Sequence, residues 1–416
     1  MRALVNLSRG MCGLTPVIDG DAALDDPPPV EFVELKDPRS MELLIEPWQA
    51  LAAEAAEPNP FYEPWAILPA LNYLGGGGSP SVLFVWRDAK KTELVGVFPL
   101  ERGMGYHHLP IPFRGLWRHM HCFLSTPLLR RGAEEAGWDG FLSWAGRNSP
   151  LLQLRGMSGD GSVYRGLASA IRQRRRRCEV ESYLSRPLLA PVVSAEKYLD
   201  IALRKKRQRQ FNRKRELLAE VGPISFQVTD DEALLAAWAD DFIDLEARGW
   251  KGREGSAMKL RMNEGIFFRT LVRRGAGRKK VRAYRLSAGQ TPVAMRFDLI
   301  TGGAGFAFKI AYDERYAKLS PGGLLEIEIL RDFFERGDLR FIDSCTIPSP
   351  DSIHGYFWAE SRSVSSLVVG APTLAGETLV GFGQLIRRWR GGRGVAGTPS
   401  RDGQIELSSE SASSGL

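Results

Sequence analysis

The stretch that most constrains the fold is residues 304–345, which contain a polar loop and a helical pattern between two apolar runs. The pattern predicts strands over 305–312 and 339–343 and a helix over 321–336. Ser320 is a good N-cap, and Pro321 suits the first helical position because its missing N–H would have no intrahelical partner. The joint between the loop and the helix is therefore the most informative point of the sequence.

Two glycines, Gly322 and Gly323, follow in the predicted first turn of this helix. Glycine lowers helix propensity there, but it lets a ligand approach the backbone closely. The free N–H groups and the positive end of the helix dipole favour a phosphate or another anion. The alternative is that the glycines only relieve packing against a neighbouring strand. The residues alone leave both interpretations open.

The same stretch resembles a known family. Tyr312-Asp313, the run 319–325 and Phe341-Ile342-Asp343 are similar to the acyltransferase domain of the CelD/BioF2-like family, within the GNAT superfamily of N-acetyltransferases. The run 245–251, LEARGWK, and the strand Pro292-Val293-Ala294 match it as well, and the resemblance spans 193–370. It implies that the loop and helix start cradle the pyrophosphate of acyl-CoA, through Leu319, Ser320, Gly322, Gly323 and Leu324.

Two halves of the chain repeat one order of elements: strand, helix, helix, hairpin, loop with helix, strand. The runs 30–51 and 81–100 are echoed by 224–242 and 281–299, and 124–129 is a shortened form of 319–325 without its glycines. We therefore expect an α/β fold of tandem GNAT-like domains, each a mixed, mainly antiparallel sheet flanked by helices. The predicted parts are a disordered leader 1–29, a degenerate domain 30–190, an acyltransferase domain 191–370 and a flexible tail 371–416.

Individual elements of the first half are predicted in the same way. A strand over 30–35 precedes helices over 41–56 and 64–74, and the strands 81–87 and 94–101 form an antiparallel hairpin. Since the first copy has no glycines after its proline, only the second copy is expected to bind the cofactor. Tandem halves with one working site also resemble the Fem family of peptidyltransferases.

A long basic helix is predicted over 194–221, and eight of the twelve residues 204–215 are Lys or Arg. On a helical wheel, Lys206, Arg207, Gln210 and Lys214 project into the apolar side. A basic residue there needs a wet cleft or an anion, because unpaired burial of charge is costly. The helix is thus either a wall that receives the substrate or the phosphates of CoA, or a solvated charged helix.

Three carboxylates are candidates for the catalytic work. Asp343 ends a strand and either faces the ligand crevice or caps a turn. Glu246 either lines the acceptor site or lies on a helix surface, and Glu326 points to the core side of its helix, where an Arg or a backbone N–H would pair with it. The remaining candidates are Arg207, Lys214 and Trp250 for substrate binding, Asp313 for shaping the loop, and a disfavoured Cys345/His354 nucleophile pair.

Composition bounds the class of protein. The 416 residues, 44% hydrophobic and 25% charged, are typical of a soluble globular protein of two or three domains, and the net charge of +7 favours anionic partners. The four cysteines, Cys12, Cys122, Cys178 and Cys345, form no metal-ligand spacing and favour reduced thiols in a cytoplasm. We expect no signal peptide and no transmembrane segment, and a weak membrane-surface contact through 379–389 is a minor alternative.

The expected function is transfer of an acyl group from acetyl-CoA or another acyl-CoA to an amine, without a metal. The family association implies an amino sugar of an envelope or exopolysaccharide precursor as acceptor. One alternative is a Fem-like aminoacyl-tRNA-dependent transferase; the basic stretch has only Phe211 for stacking on bases, so no stable nucleic-acid complex is expected. Another is a non-catalytic accessory protein with a decayed pocket.

Overall fold

The computed structural model describes residues 31–76, 80–191, 194–203, 205–346 and 353–391. The predicted leader, Cys12 and the end of the predicted tail lie outside these residues. The helices are α1 Pro38–Glu42, α2 Ile45–Ala53, α3 Pro64–Leu74, α4 Glu134–Gly146, α5 Ser162–Gln173, α6 Ala195–Ala202, α7 Lys205–Ala219, α8 Glu232–Arg248, α9 Trp250–Arg253, α10 Met262–Ala276, α11 Pro321–Arg336, α12 Ile353–Phe357 and α13 Leu374–Gly391.

The strands form one sheet across the described parts of the chain. They are β1 Glu31–Leu35, β2 Ser81–Trp86, β3 Leu94–Tyr106, β4 Leu109–Leu116, β5 Leu128–Leu129, β6 Leu151–Ser158, β7 Cys178–Leu189, β8 Ile224–Thr229, β9 Val281–Ala288, β10 Thr291–Thr301, β11 Ala304–Tyr312, β12 Phe341–Asp343 and β13 Glu360–Gly370. The order across the sheet is β1-β2-β3-β4-β6-β13-β7-β12-β11-β10-β9-β8, and β5 pairs with β3.

The pattern of antiparallel and parallel pairing is the same when it is followed inward from either edge of the sheet. β1 to β4 are antiparallel, and β4 then pairs in parallel with β6; β8 to β11 are antiparallel, and β11 pairs in parallel with β12. The last strand of each half crosses over, because β7 pairs with β12 and β13 pairs with β6. The mixed, mainly antiparallel α/β sheet flanked by helices is thus confirmed, while the domain boundary at 190 stays a prediction.

The predicted elements compare well with the observed ones, with three differences. The helices over 64–74 and 321–336 and the hairpin of β2 and β3 are confirmed. The helix predicted over 41–56 is two helices, and the one predicted over 194–221 is interrupted because Leu203 has extended backbone angles and a buried side chain. The predicted flexible tail begins with α13, in which Gln384 donates a hydrogen bond to the Cys178 carbonyl at 2.8 Å.

The largest core cluster spans both halves of the chain. It joins aromatic side chains of the first half, such as Trp48 and Phe61, to Phe267 of α10, Phe297 of β10 and Phe308 of β11. The rings of Phe61 and Phe308 lie 6.1 Å apart, and those of Phe268 and Phe297 lie 5.2 Å apart. Because burial of large aromatic surfaces dominates core energetics, the two halves are stabilised as one unit.

Candidate functional site

A gap opens in the sheet beside β11. Residues 304–306 of β11 pair with 341–343 of β12, and the ladder stops at Phe306, although β11 continues to Tyr312. On its other edge β11 carries a bulge, since Ala307 lies opposite Asp298 and Lys309 opposite Phe297, which leaves Phe308 as the extra residue. Bulges bend a strand and re-aim its side chains, and they recur next to active sites. The splayed edge of β11 is therefore the natural place for a ligand between strands.

The helix α11 begins beside this gap, with an unusual first residue. Ser320 has left-handed backbone angles, φ 50° and ψ 56°, and its side chain makes no capping bond to the helix. The prediction that Ser320 caps the helix is therefore wrong, because a capping side chain requires an extended backbone. Its hydroxyl instead accepts a hydrogen bond from Lys214 Nζ at 2.7 Å. No side chain of this turn thus occupies the positive end of the helix dipole.

The two glycines of this turn have different surroundings. A Cβ on Gly323 would lie 2.7 Å from Phe211 Cε1, so packing against α7 requires a glycine there. A Cβ on Gly322 would lie 3.5 Å from Ile353 and 3.7 Å from Tyr312, which is ordinary contact. Both glycines are buried. Packing therefore explains Gly323, against a helix rather than the predicted strand, and does not explain Gly322.

The basic helix α7 lies over the start of α11. The Arg207 guanidinium lies 3.8 Å from the centroid of the Tyr356 ring on α12, and Phe211 packs on Phe357 with ring centroids 5.6 Å apart. Arg207 and Lys214 are half-buried as predicted, whereas Lys206 and Gln210 are exposed, so their predicted inward placement is wrong. Of the predicted substrate-binding cations, Lys214 is therefore held at the helix start that carries the glycines, and Arg207 lies against α12.

The loop between β11 and α11 is shaped by Asp313, as predicted. This buried carboxylate caps a 3₁₀ turn over Glu314–Leu319 by accepting the Arg315 N–H at 3.1 Å, and Arg315 Nη2 lies 2.6 Å from Asp313 Oδ2. These hydrogen bonds to Arg315 outweigh partial burial and lower the pKa of Asp313. Since Asp313 is satisfied within its own turn, it is not a free carboxylate at the mouth of the loop.

Glu326 lies on the buried face of α11 within an ionic cluster. Its carboxylate accepts hydrogen bonds from Arg296 Nη1 and Trp358 Nε1, both at 2.8 Å, and Arg296 also pairs with Asp298 at 2.6 and 2.7 Å. The Arg partner expected for Glu326 is thus confirmed. Burial lowers the pKa of Arg296, but the two carboxylates outweigh burial and raise it, so the Arg296 guanidinium stays charged.

Asp343 is buried at the end of β12. It accepts hydrogen bonds from Arg186 at 3.4 Å, from Arg362 at 3.1 Å and from the Cys345 N–H at 2.8 Å. The last bond is the turn-capping role weighed from the sequence, and the two arginines come from the crossed-over strands β7 and β13. Asp343 is therefore held by both halves of the chain.

The disfavoured Cys345/His354 pair has the wrong electrostatics for a nucleophile. Burial raises the pKa of the Cys345 thiol well above its usual value, so the thiolate is not formed. Burial also lowers the pKa of His354 well below its usual value, and among the described residues neither ring nitrogen has a hydrogen-bond partner. The neutral His354 ring packs on Trp358, with centroids 4.5 Å apart.

Glu246 lies on the other side of β11, near the end of α8. Its carboxylate accepts hydrogen bonds from Lys251 Nζ at 2.6 Å and from the Met258 N–H at 3.0 Å, and its side chain is buried, so the helix-surface alternative is wrong. Burial raises the pKa of Glu246, but Lys251 and Lys309 outweigh burial and lower it. Trp250 is half-buried nearby, and its N–H donates to Glu314 Oε1 at 2.5 Å.

The structure also brings together residues that the sequence did not single out. His121 Nε2 lies 3.0 Å from Glu264 Oε2, Arg261 donates to Glu264 Oε1 at 3.1 Å, and Lys309 of β11 lies within electrostatic range of Glu246 and Glu264. These residues come from distant parts of the chain and form no motif. The signal that could have found them is a lysine within the apolar strand run FAFKIAY.

Within the described ranges there is no group of three or more His, Cys, Asp or Glu side chains that could hold a metal ion. Nor does the described part of the chain contain a helix that is both long and apolar enough to cross a membrane.

Comparison with known proteins places part of the chain in a family. Residues 205–351 match the family described as acetyltransferase (GNAT) domain, and this segment runs from the start of α7 past the end of β12. No curated protein matches the chain in sequence. This segment is therefore similar to a GNAT acetyltransferase domain, and it includes the helix start, the gap and the basic helix described above.

Two solved structures share the overall fold at low sequence identity. A conserved protein of unknown function from Bacteroides thetaiotaomicron aligns with a TM-score of 0.50 and 11% identity, over 79% of this chain and 97% of its own. A structure of FemX aligns with a TM-score of 0.51 and 8% identity, over 83% of this chain and 98% of its own. At these identities the similarity concerns the fold, which extends over both halves of the chain.

Proposed function

We propose that this protein is an acyl-CoA-dependent N-acyltransferase, which moves an acyl group from CoA to an amine. The observation that carries the proposal is the start of α11: a turn with two glycines and no side-chain cap, beside the splayed edge of β11 and inside the matched acetyltransferase domain. Backbone N–H groups at a helix start favour phosphate, and those of an open strand edge can hold a thioester oxygen.

The pyrophosphate of CoA would lie against residues 319–324, with Gly322 as the position of closest backbone approach. Lys214 would supply charge to the phosphates, because it already lies at this turn, and Arg207, on the same helix and against α12, would add to it. Phe211 covers Gly323, so α7 would have to shift by a small amount when the cofactor enters. The catalytic and binding roles of these residues are our proposal.

The three candidate carboxylates would hold the site in shape. Glu326, Asp343 and Glu246 each accept at least two hydrogen bonds and are buried, so none is free to take a proton from an incoming amine. The acceptor would approach from the side of Glu246 and Trp250. We keep an amino sugar of an envelope or exopolysaccharide precursor as the proposed acceptor, with the CelD/BioF2-like branch as the proposed subfamily and the cytoplasm as the proposed location.

A second candidate is an aminoacyl-tRNA-dependent transferase. The observation that favours it is the outward face of α7, where Lys205, Lys206, Arg209 and Arg213 are exposed. Such a stripe binds phosphates in a salt-dependent way. Phe211, the one aromatic residue of this helix, packs on Phe357 and covers Gly323, so it is not available to stack on a base. The acyl-CoA proposal is therefore the stronger one.

Calorimetric titration with acetyl-CoA and longer acyl-CoAs tests the proposal, with Gly322→Ala as the probe. The added methyl group fits the free protein and removes the closest backbone approach, so we expect affinity to fall about tenfold or more, or about 1.4 kcal/mol. Gly277→Ala is the matched control, since a Cβ there meets only Glu232 at 3.7 Å and lies at the end of α10. Absence of binding to any acyl-CoA would refute the proposal, and tRNA binding lost in Lys206→Gln/Arg209→Gln would favour the second candidate.

A further inference from the structure

Lys309 occupies a special place on β11. It is the first residue after the bulge, and it pairs with Phe297, whose side chain packs toward α8 and α10. Side chains opposite each other in a ladder share a face of the sheet, so Lys309 points toward the same two helices. Glu326 and Arg296 lie on the opposite face, beneath α11. Lys309 is thus across the strand from the proposed cofactor side.

Titratable groups from three helices and one loop surround Lys309. They are Glu246 of α8, Lys251 of α9, Glu264 of α10 and the neighbouring His119 and His121. Burial, and to a smaller extent Lys251, lower the pKa of Lys309 against the opposing effect of Glu246 and Glu264, and the net result is a pKa of about 8. Burial likewise lowers the pKa of His121 to about 4, so this imidazole is neutral near pH 7.

The neighbours of Lys309 are already engaged with one another. Glu246 accepts hydrogen bonds from Lys251 and the Met258 N–H, and Glu264 accepts from Arg261 and pairs with His121. Lys309 is half-buried and, among the described residues, forms no side-chain hydrogen bond or ion pair. Its amino group is therefore the one in this cluster that is available to a ligand.

One carboxylate of this cluster, Glu264, is reached from the surface. Glu264 lines a cavity of about 650 Å³, whose other walls come from both halves of the chain: Tyr73 and Leu74 at the end of α3, Met120, and Arg261 and Met262 at the start of α10. The walls combine apolar side chains with Arg261 and Asn263, and such a mixture suits a ligand with an apolar body and a few polar groups.

We propose that Lys309 is the catalytic base of the acyl transfer, and that the acceptor, a primary amine, reaches it from the cavity that Glu264 lines. This inference rests on the proposed function. The amine nitrogen bonds to the thioester carbon at the bulge of β11, and Lys309 Nζ accepts the proton that the nitrogen loses. The C–S bond then breaks, and the CoA thiolate takes the proton from Lys309. One proton moves from nitrogen to sulfur, so no other reactant is needed.

The chemistry agrees with the position of the group. A general base works best when its pKa is near the working pH, and lysine is brought there by burial. Arg cannot serve, because its guanidinium stays protonated in proteins. The bulge of β11 therefore lies between the proposed cofactor on the α11 side of the sheet and Lys309 on the side of α8 and α10.

The test compares Lys309→Arg and Lys309→Met with the wild type, using release of CoA thiol from acetyl-CoA with glucosamine and with tyramine as acceptors. We expect kcat/KM for the amine to fall by about a hundredfold or more in both variants, while the Kd for acetyl-CoA stays within twofold. The wild-type rate should rise with pH to a plateau above about 8. Lys90→Arg, an exposed lysine between β2 and β3, is the matched control.

A second readout does not depend on the acceptor. Reductive methylation with ¹³C-formaldehyde labels the lysines for NMR, and Lys309→Arg assigns one signal, which we expect to titrate near 8. A signal that titrates near 10, or a Lys309→Arg variant with the wild-type rate and pH profile, overturns the role of Lys309. If the wild type does not bind any acyl-CoA, the proposed function is refuted instead. The failure of the role of Lys309 and the failure of the proposed function are therefore distinguishable.

Discussion

The two halves of the chain use the same strands and fill their cores differently. When residues 113–115 of β4 are placed on 304–306 of β11, each beside its parallel partner, Leu100 corresponds to Asp298 and Phe98 to Arg296. Phe98 stacks on Phe141 with ring centroids 4.3 Å apart, whereas Arg296 is fully buried with Asp298 and Glu326. At these equivalent positions the first half has an apolar core, whereas the second half has a buried ion cluster. Replacing such a cluster by apolar side chains often does not lower stability, so packing alone does not explain it.

The helix starts differ in the same direction. α4 of the first half follows Ala133 without a side-chain cap and carries Glu134 and Glu135 in its first turn. α11 has two glycines there and no acidic residue. Carboxylates at a helix start interact with the dipole that an incoming phosphate would use. Of these two equivalent helix starts, that of α11 is therefore the one better suited to a phosphate.

A third difference concerns the strand beside each helix. Counted along the chain from the first residue of the parallel ladder, Arg118 of the first half corresponds to Lys309 of the second. Arg118 Nε donates to the Cys122 carbonyl at 3.2 Å, whereas Lys309 forms no such bond among the described residues and its pKa lies near 8. At this position, a group that loses its proton near pH 8 is thus present in the half that carries the proposed cofactor turn and not in the other.

The largest effect should come from breaking the buried charge cluster. Arg296→Met leaves Asp298 and Glu326 buried without their partner, so we expect the free energy of unfolding to fall by about 3–5 kcal/mol. Phe98→Met, the matched change in the first half, keeps an apolar side chain but loses the ring contact with Phe141, and should cost about 1–2 kcal/mol. Urea denaturation measures both. Equal losses would remove the contrast between an ionic and an apolar core.

The next effect is the pH dependence of stability from Lys309. Its folded pKa of about 8 lies below the unfolded value of about 10.4, so the stability it contributes is present above pH 10.4 and lost as pH falls through 8. Partial exposure reduces the penalty, and we expect Lys309→Met to be more stable than the wild type by about 1–2 kcal/mol at pH 7. The difference should shrink between pH 8 and 10. A pH-independent difference in denaturation experiments would contradict the account.

A smaller effect is expected from Lys214→Met. Removal of its hydrogen bond to Ser320 should cost less than about 1 kcal/mol of stability, because the lysine is half-buried and both groups can turn to water. The affinity for acetyl-CoA should fall several-fold, and its dependence on salt concentration should weaken. Calorimetry at two salt concentrations checks this. An unchanged affinity would mean that α7 does not contact the phosphates.

The smallest effect concerns the first half. Glu135→Gln removes an acidic group from the first turn of α4, and we expect the affinity for acetyl-CoA to stay the same and the stability to change by less than about 0.5 kcal/mol. The same titration serves as the measurement. A gain or loss of binding would show that the first half takes part in cofactor recognition.

Features of the structure that depend on residues close together in sequence could be predicted, and features that depend on distant contacts could not. The bounds of α3 and α11 were predictable because each boundary is marked by a residue at the boundary itself. Pro64 and Pro321 begin the two helices, and Gly75 and Gly337 follow their last residues. Glu326 was placed on its buried face by helix periodicity, but the identity of Arg296 as its partner depends on residues 30 positions apart. The crossing of β7 and β13, and the meeting of Lys309 with Glu246 and Glu264, arise from contacts far apart in sequence, which no local pattern encodes.

The central claim is that the start of α11, and not that of α4, binds the cofactor. Hydrogen–deuterium exchange with and without acetyl-CoA tests it directly, since both helix starts are followed in the same sample. The account predicts slower exchange for the amides around Gly322 and Gly323 and unchanged exchange around Glu134 and Glu135. Protection at α4, or protection at neither helix start while acetyl-CoA binds, would contradict it.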